Sequence, residues 1–172
     1  MRLFVALFPP EDVRDELRRH LRDAMTRPVR LTAVERWHIT MAFLGENPDE
    51  ELPEISQAVG AAAAGGGPIR LRLAGGGNFG TALWAGVDGD LPALFRLRAR
   101  LPLGNGPFTP HLTVSYRDHA EVRAALNAYA GPPWTASELV LVHSRHAEGL
   151  GYDRVSAWPL QPDPCDGRVA QA

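Results

Sequence analysis

The feature that most restricts the fold is a short pattern that occurs twice, on opposite sides of the midpoint: Trp37-His38-Ile39-Thr40-Met41 and Pro110-His111-Leu112-Thr113-Val114. Each copy is H-x-T-x set in apolar residues. Side chains alternate along a strand, so His38 and Thr40 share one face while Ile39 and Met41 take the other, and His111 pairs with Thr113 in the same way. Each strand therefore has an apolar face to bury and a polar face to present. The arrangement that satisfies both copies is a pair of related lobes whose polar strand faces meet at a cleft. Thr supplies seven of 172 residues, so any one histidine has about a 4% chance of Thr two positions on. Among six histidines, two such hits arise in roughly 2% of similar sequences. The matched apolar context is what makes the recurrence informative.

The rest of the chain alternates strands and helices around these segments. Arg2 to Phe8 reads as a buried strand, and Pro9-Pro10-Glu11-Asp12 opens a helix carrying Val13, Leu17, Leu21 and Met25 at helical spacing. Val29 to Val34 and Trp37 to Leu44 read as strands, and Glu50 to Ala64 as a helix stopped by Gly65 to Gly67. Ile69, Leu71 and Leu73 alternate as a strand, and Gly75 to Gly77 is expected to turn the chain toward Leu83 to Val87. The second half is expected to repeat the plan. Leu91, Leu94, Phe95 and Arg98 lie at helical spacing, Gly104 to Pro110 is a loop, and His111 to Tyr116 is strand-like. A helix over Ala120 to Tyr129 and an antiparallel pair, Leu139 to His143 with Tyr152 to Trp158, complete it. Helices mixed with hairpin-like strands imply an α+β fold rather than a doubly wound parallel sheet. Residues 1–161 are expected to form a single bilobal domain, with antiparallel sheets, helices outside and a central cleft; 162–172 is expected to be a flexible tail.

Composition narrows the function classes. The net charge is −2, so the molecule lacks the basic field of a nonspecific nucleic-acid coat, and any nucleic-acid contact must be local. All 18 basic residues are Arg; a GC-rich genome is the simplest account, although Arg also suits bidentate phosphate recognition. No stretch approaches the roughly 18 to 20 apolar residues of a membrane span. The short apolar start before Pro9 and Pro10 is read as a strand, not an export signal, and Cys165 stands alone, which excludes a disulfide framework. A cytoplasmic protein with no membrane association is the expectation. The glycine runs lack the strand-to-helix context of a nucleotide-cofactor loop, and there is no Walker loop.

Two His and two Thr on facing strands meet the needs of a specific reaction. Near neutral pH an imidazole serves as acid or base, and two of them across a cleft can be held in opposite protonation states. The Thr hydroxyls are neutral donors for oxygens on which charge develops. A hydrolysis that asks for an activated water, a protonated leaving oxygen and that stabilisation is within their reach. None of these groups requires a metal or a cofactor.

The segments RLFVALFPP, RWHITMAFLGE, PFTPHLTVSY and GLGYDRVSAWPL together resemble the 2H phosphoesterases, and within them the RNA 2′,3′-cyclic phosphodiesterases once called 2′-5′ RNA ligases. The resemblance spans nearly the whole chain. It implies that His38 donates a proton to the 3′ leaving oxygen and His111 accepts one from water, assisted by Thr40 and Thr113, without metal or cofactor. The substrate it implies is an RNA or oligonucleotide with a 2′,3′-cyclic phosphate end, and no protein partner is implied. The residues alone leave acid and base interchangeable. Family members often continue the second motif as H-x-T-L-A-R, whereas here Tyr116 occupies the Arg position and Arg117 comes one residue later. Tyr116 and Arg117 are accordingly candidate substrate contacts, Arg117 on the face of His111 if the strand stays regular.

Other residues are given ordinary roles. His143 and His146 lack further ligands for a metal site. His20 and His119 are expected to be solvated, and Phe43 to pack in the core. Three readings compete with RNA-end hydrolysis: a 2H enzyme acting on small cyclic phosphates or on 2′,5′-linked oligonucleotides, a non-catalytic RNA-end binding module, and a His-based metal protein.

Overall fold

The computed structural model describes residues 1–164. In chain order these form β1 (Arg2–Leu7), α1 (Glu11–Asp23), β2 (Ile39–Glu46), α2 (Leu52–Ala63), β3 (Ile69–Phe79) and β4 (Ala82–Gly89). Beyond them lie α3 (Leu91–Arg100), β5 (His111–Ser115), α4 (Ala120–Asn127), β6 (Ala130–Ala136), β7 (Glu138–Arg145) and β8 (Gly151–Pro159). The α+β class expected from the pattern holds. Among the described residues the eight strands make one antiparallel sheet in the order β6-β3-β4-β5-β2-β1-β7-β8.

A pseudo-dyad passes between β5 and β2, the strands that carry the two H-x-T-x segments. It relates β4 to β1, β3 to β7 and β6 to β8 by position in the sheet. The two lobes are therefore not the two halves of the chain, as a simple repeat would have them. The hairpin β3–β4, from the first half, completes the lobe of β5, whereas β7–β8 from the C-terminal part completes the lobe of β1 and β2. The helices cross over as well: α1 comes directly after β1 but packs on β6 and α4.

Local sequence explains the elements. In α1, Val13, Leu17 and Leu21 at i, i+4, i+8 are buried, with Glu11 and Asp12 in the first turn and Arg22 in the last, where the helix dipole favours each sign. Asp90 caps α3 by accepting from the Ala93 amide at 3.2 Å, ahead of Pro92 in the first turn. β6, which the pattern did not announce, contains Pro132 and Pro133 and lies at the sheet edge, the one place where prolines do not break a ladder. Val29 to Val34 is irregular instead of a strand and ends in a 3₁₀ turn, Val34–Arg36; it touches β5 through the Thr32 amide, which donates to the Val114 carbonyl at 2.8 Å. Gly75 to Gly77 does not turn the chain: these residues lie within β3, which is bulged between Leu73 and Gly76, and the turn comes at Gly80-Thr81.

One large apolar cluster fills the helix side of the sheet, from Leu3, Val5 and Leu7 through Trp37, Ile39 and Met41 to Leu112 and Val114. A smaller one, Phe4, Ala6, Val140 and Val142, forms the floor of the opposite, concave side. The expected tail is described only to Pro164; residues 165–172, Cys165 included, lie outside the described residues. Among the described residues no helix is long and apolar enough to cross a membrane.

Candidate active site

The lobes join through a single ladder pair, Ile39 with Leu112. Both residues are fully buried, which fixes their neighbours on the opposite face. Extending an antiparallel register by one residue each way sets His38 across from Thr113 and Thr40 across from His111. The two histidines then occupy one diagonal of a four-residue square, about 7 to 8 Å across between diagonal neighbours. All four side chains are half-buried and line a cleft of about 870 Å³.

Each histidine is oriented by the same device. The Nδ1–H of His38 donates to the carbonyl of Arg36 at 2.5 Å, and that of His111 to the carbonyl of Thr109 at 2.7 Å. A backbone acceptor two residues upstream selects the Nδ1–H tautomer of the neutral ring and leaves Nε2 for chemistry. In His38 that nitrogen lies 3.0 Å from the Thr40 hydroxyl, which can donate to it. The walls differ. His38 stacks on Phe4, with ring centroids 4.9 Å apart, and meets the edge of Tyr152 at 5.5 Å, whereas His111 stands against Phe79 at 5.0 Å and Trp84 at 5.6 Å. Burial pushes the His38 pKa below the ordinary imidazole value; the Arg36 carbonyl opposes this, and the charge of His111 adds to it.

The rim is basic. Arg2, Arg30, Arg36 and Arg117 line the cleft, no Asp or Glu does, and among the described residues none of the four has a carboxylate partner. A molecule of net charge −2 therefore concentrates positive charge at this opening. Tyr152, whose ring lies 5.9 Å from the Arg36 guanidinium, keeps its hydroxyl proton more firmly than a free phenol, first through burial and then through the facing Tyr116.

The sequence candidates fare unevenly. His38, Thr40, His111 and Thr113 come together. Tyr116 and Arg117 also line the cleft, although β5 ends at Ser115, whose hydroxyl donates to the Arg117 carbonyl at 2.8 Å and accepts its amide at 3.1 Å. Phe43 is not in the core: it is 69% exposed and lines the cleft, because an extra residue at Met41 shifts the phase of β2. His20 is not solvated but half-buried, with Nε2 2.8 Å from the Ala125 carbonyl, and His119 is half-buried with Nδ1 enclosed. His146 packs edge-on against Tyr152 at the cleft, while His143 pairs with Asp153 in the β7–β8 ladder. Arg2, Arg36 and Tyr152 escaped sequence reasoning because only the sheet order brings β1, the approach to β2 and β8 to one wall. Among the described residues no three of His, Cys, Asp and Glu converge on a metal-sized site.

Comparison with known proteins places this geometry in a group. A family profile for the 2′-5′ RNA ligase superfamily matches residues 9–148. The RNA 2′,3′-cyclic phosphodiesterase of Thermus thermophilus is 35% identical over 167 residues, covering 84% of this chain and 82% of that protein. The RNA 2′,3′-cyclic phosphodiesterase of Geobacillus stearothermophilus is 34% identical over 156 residues, covering 80% of this chain and 49% of the relative, so the chain spans about half of that protein's length. Among solved structures, Escherichia coli LigT complexed with phosphate superposes with a TM-score of 0.73 at 26% identity, covering 93% of this chain and 97% of LigT. A solved Thermus thermophilus protein gives a TM-score of 0.70 at 29% identity, covering 94% of this chain and 99% of its own.

Proposed function

This chain belongs to the 2′-5′ RNA ligase superfamily, and from that premise we propose that it hydrolyses the 2′,3′-cyclic phosphate at an RNA end to a 2′-phosphate by metal-independent catalysis between two histidines. The enzyme class, cyclic phosphodiesterase, rests on the family and on relatives so named. The observation that carries the finer reading is the crossed square of His38, Thr40, His111 and Thr113, with both Nε2 atoms left for the reaction by backbone-anchored Nδ1–H groups.

In this mechanism the cyclic phosphate sits in the square. His111 takes a proton from water as the water oxygen attacks phosphorus, the bond from phosphorus to O3′ breaks, and His38 gives its proton to O3′. The Thr40 and Thr113 hydroxyls donate to nonbridging oxygens as negative charge develops there. Burial by itself favours neutral His38, so a donor role needs the phosphate: its negative charge restores the proton affinity that burial removes. Catalysis would then be coupled to substrate arrival.

Two observations favour an RNA end over a small cyclic phosphate. The cleft is much larger than one phosphate, and Arg2, Arg30, Arg36 and Arg117 stand ready for further phosphates while Tyr116 and Phe43 offer exposed rings for stacking. We read residues 1–161 as one bilobal domain, with the cytoplasm as its place of action. The test is incubation with an oligonucleotide ending in a 2′,3′-cyclic phosphate in excess chelator, with the product resolved into 2′- and 3′-phosphate. A 2′-phosphate formed at an unchanged rate is expected, and His38→Ala and His111→Ala should each lose ~10²- to 10⁴-fold. Binding without turnover, or activity lost to chelator, would overturn the mechanism; preference for a mononucleotide or a 2′,5′-linked substrate would overturn the substrate assignment.

A further inference from the structure

We propose that Thr32 and Arg98 are positioning residues that set the separation of His38 and His111, an inference that rests on the two-histidine reading above. Both catalytic strands are bulged at the third residue after the histidine. On β2, Ala42 faces Val5 and Thr40 faces Ala6, leaving Met41 as the extra residue. On β5, Ser115 faces Leu83 and Thr113 faces Trp84, leaving Val114. A bulge unpairs its residue and bends the strand. By the Ile39–Leu112 register the two bends lie at opposite ends of the β2–β5 crossing, related by the pseudo-dyad, and the ladder between these strands is confined to that one pair.

Met41 and Val114 are fully buried, and a buried carbonyl needs a donor. In each case it comes from outside the sheet. The Val114 carbonyl accepts from the Thr32 amide at 2.8 Å and from the Thr32 hydroxyl at 3.1 Å. The Met41 carbonyl accepts from Nη1 of Arg98 on α3. Each donor is held in turn by an aromatic residue just upstream of the opposite motif. The indole Nε1–H of Trp37, directly before His38, donates to the Thr32 hydroxyl at 2.8 Å, yet that hydroxyl grips the strand of His111. Phe108, three residues before His111, lies 4.4 Å beneath the Arg98 guanidinium, yet that guanidinium grips the strand of His38. The braces cross, so the approach to one histidine is tied to the strand of the other.

The Arg98 side is costly if it serves packing alone. Its guanidinium is half-buried, its Nε is enclosed without a partner, and among the described residues it has no carboxylate. An apolar side chain would cover Phe108 without desolvating a charge. What the arginine adds is a donor aimed at one carbonyl.

The experiment compares Thr32→Val and Arg98→Met, which keep shape and lose the side-chain donor while the Thr32 amide stays, with Thr32→Ser and Arg98→Lys, which keep a side-chain donor. kcat and KM are measured on the cyclic-ended oligonucleotide at a temperature where melting curves show every variant folded. Displacement of a reacting group by about 1 Å costs up to ~100-fold, so Thr32→Val and Arg98→Met should lower kcat ~10- to 100-fold with KM changed far less, and Thr32→Ser and Arg98→Lys should recover most of the loss. Because both braces act on one separation, the double variant should lose less than the product of the single losses. Full kcat in Thr32→Val or Arg98→Met, or equal damage from the conservative variants, overturns the proposal. If the wild type does not turn over this substrate, the functional reading fails while the brace is still judged by histidine ring NMR: Thr32→Val should move the resonances of both His38 and His111, and a His111 signal left in place overturns it.

Discussion

Gly77→Ala should damage catalysis from a position that touches no substrate. A Cβ built on Gly77 would lie 2.3 Å from Cη2 and from Cζ2 of Trp84, and 2.9 Å from Cζ3. Ordinary contact begins near 3.4 Å, so the indole must retreat by about 1 Å or the strands must separate. A tryptophan ring cannot relieve this by rotating a flexible end; it must tilt as a block. The same ring lies 5.6 Å from the ring of His111 and 5.2 Å from that of Phe79, which itself meets His111 edge-on. The clash is therefore passed directly to the His111 imidazole. Overpacking of this kind costs about 1 to 3 kcal/mol of stability, and a shift near 1 Å at a reacting group costs up to ~100-fold in rate. Thermal melts and steady-state kinetics on the cyclic-ended oligonucleotide measure the two separately. Gly77→Ala should lower kcat by one to two powers of ten at a temperature where it is still folded, and adding Trp84→Leu should restore stability without restoring kcat, because the wall of His111 is then missing. Wild-type kcat in Gly77→Ala would refute the claim that Trp84 positions His111.

The remaining predictions concern protons, hydroxyls and charge. In kcat/KM the limb that belongs to His38, the donor that must carry its proton, should lie below the ordinary histidine value of 6.5, since burial lowers it, and the same limb of kcat should sit higher because bound phosphate favours the protonated ring; a free-enzyme profile with both limbs above 6.5 would count against it. The same lowered pKa means that the folded state binds fewer protons than the unfolded one, so His38 contributes stability that is present above pH 6.5 and lost as pH falls through its folded value. Melting curves of the wild type and His38→Asn should diverge in that acid range and run parallel above it. Thr40→Ala and Thr113→Ala should each cost less than either histidine variant, since one neutral donor is lost and water partly replaces it; a Thr variant worse than His111→Ala would reverse the ranking. Binding of cyclic-ended RNA to the His38→Ala protein should weaken with salt, by a logarithmic slope of about 0.7 per phosphate engaged, and Arg2→Ala or Arg36→Ala should reduce that slope. An unchanged slope in both would remove the arginine rim from the RNA path.

The parts of this protein legible in its sequence are those in which chemistry and period agree over a few consecutive residues. His38 with Thr40 and His111 with Thr113 needed only alternation, and α1 needed only Val13, Leu17 and Leu21 at helical spacing. What stayed hidden depends on pairing between distant segments. Pro132 and Pro133 argue against a strand until β6 is known to lie at the sheet edge. Gly75 to Gly77 spell a turn until Trp84 is seen to need Gly77 beneath it, and Arg2 joins Arg36 and Tyr152 at one cleft only through the sheet order.

The bulges are the most instructive case. Met41 and Ala42 are consecutive and both buried, and so are Val114 and Ser115. Two adjacent buried residues break a period of two, and each break re-aims the side chains beyond it: Phe43 and Tyr116, both five residues after their histidine, reach the cleft in this way. Read by strict alternation, Phe43 belongs to the core and Arg117 to the face of His111. The loss of one ladder step, at the same place in both strands, brings Phe43 and Tyr116 to the cleft. Ser115 could not have disclosed this, because its burial is made tolerable by a local contact, its hydroxyl bonding the backbone of Arg117, and not by any pattern of hydrophobicity. The polar letter that looks like a strand leaving the core is the residue that ends β5 within it.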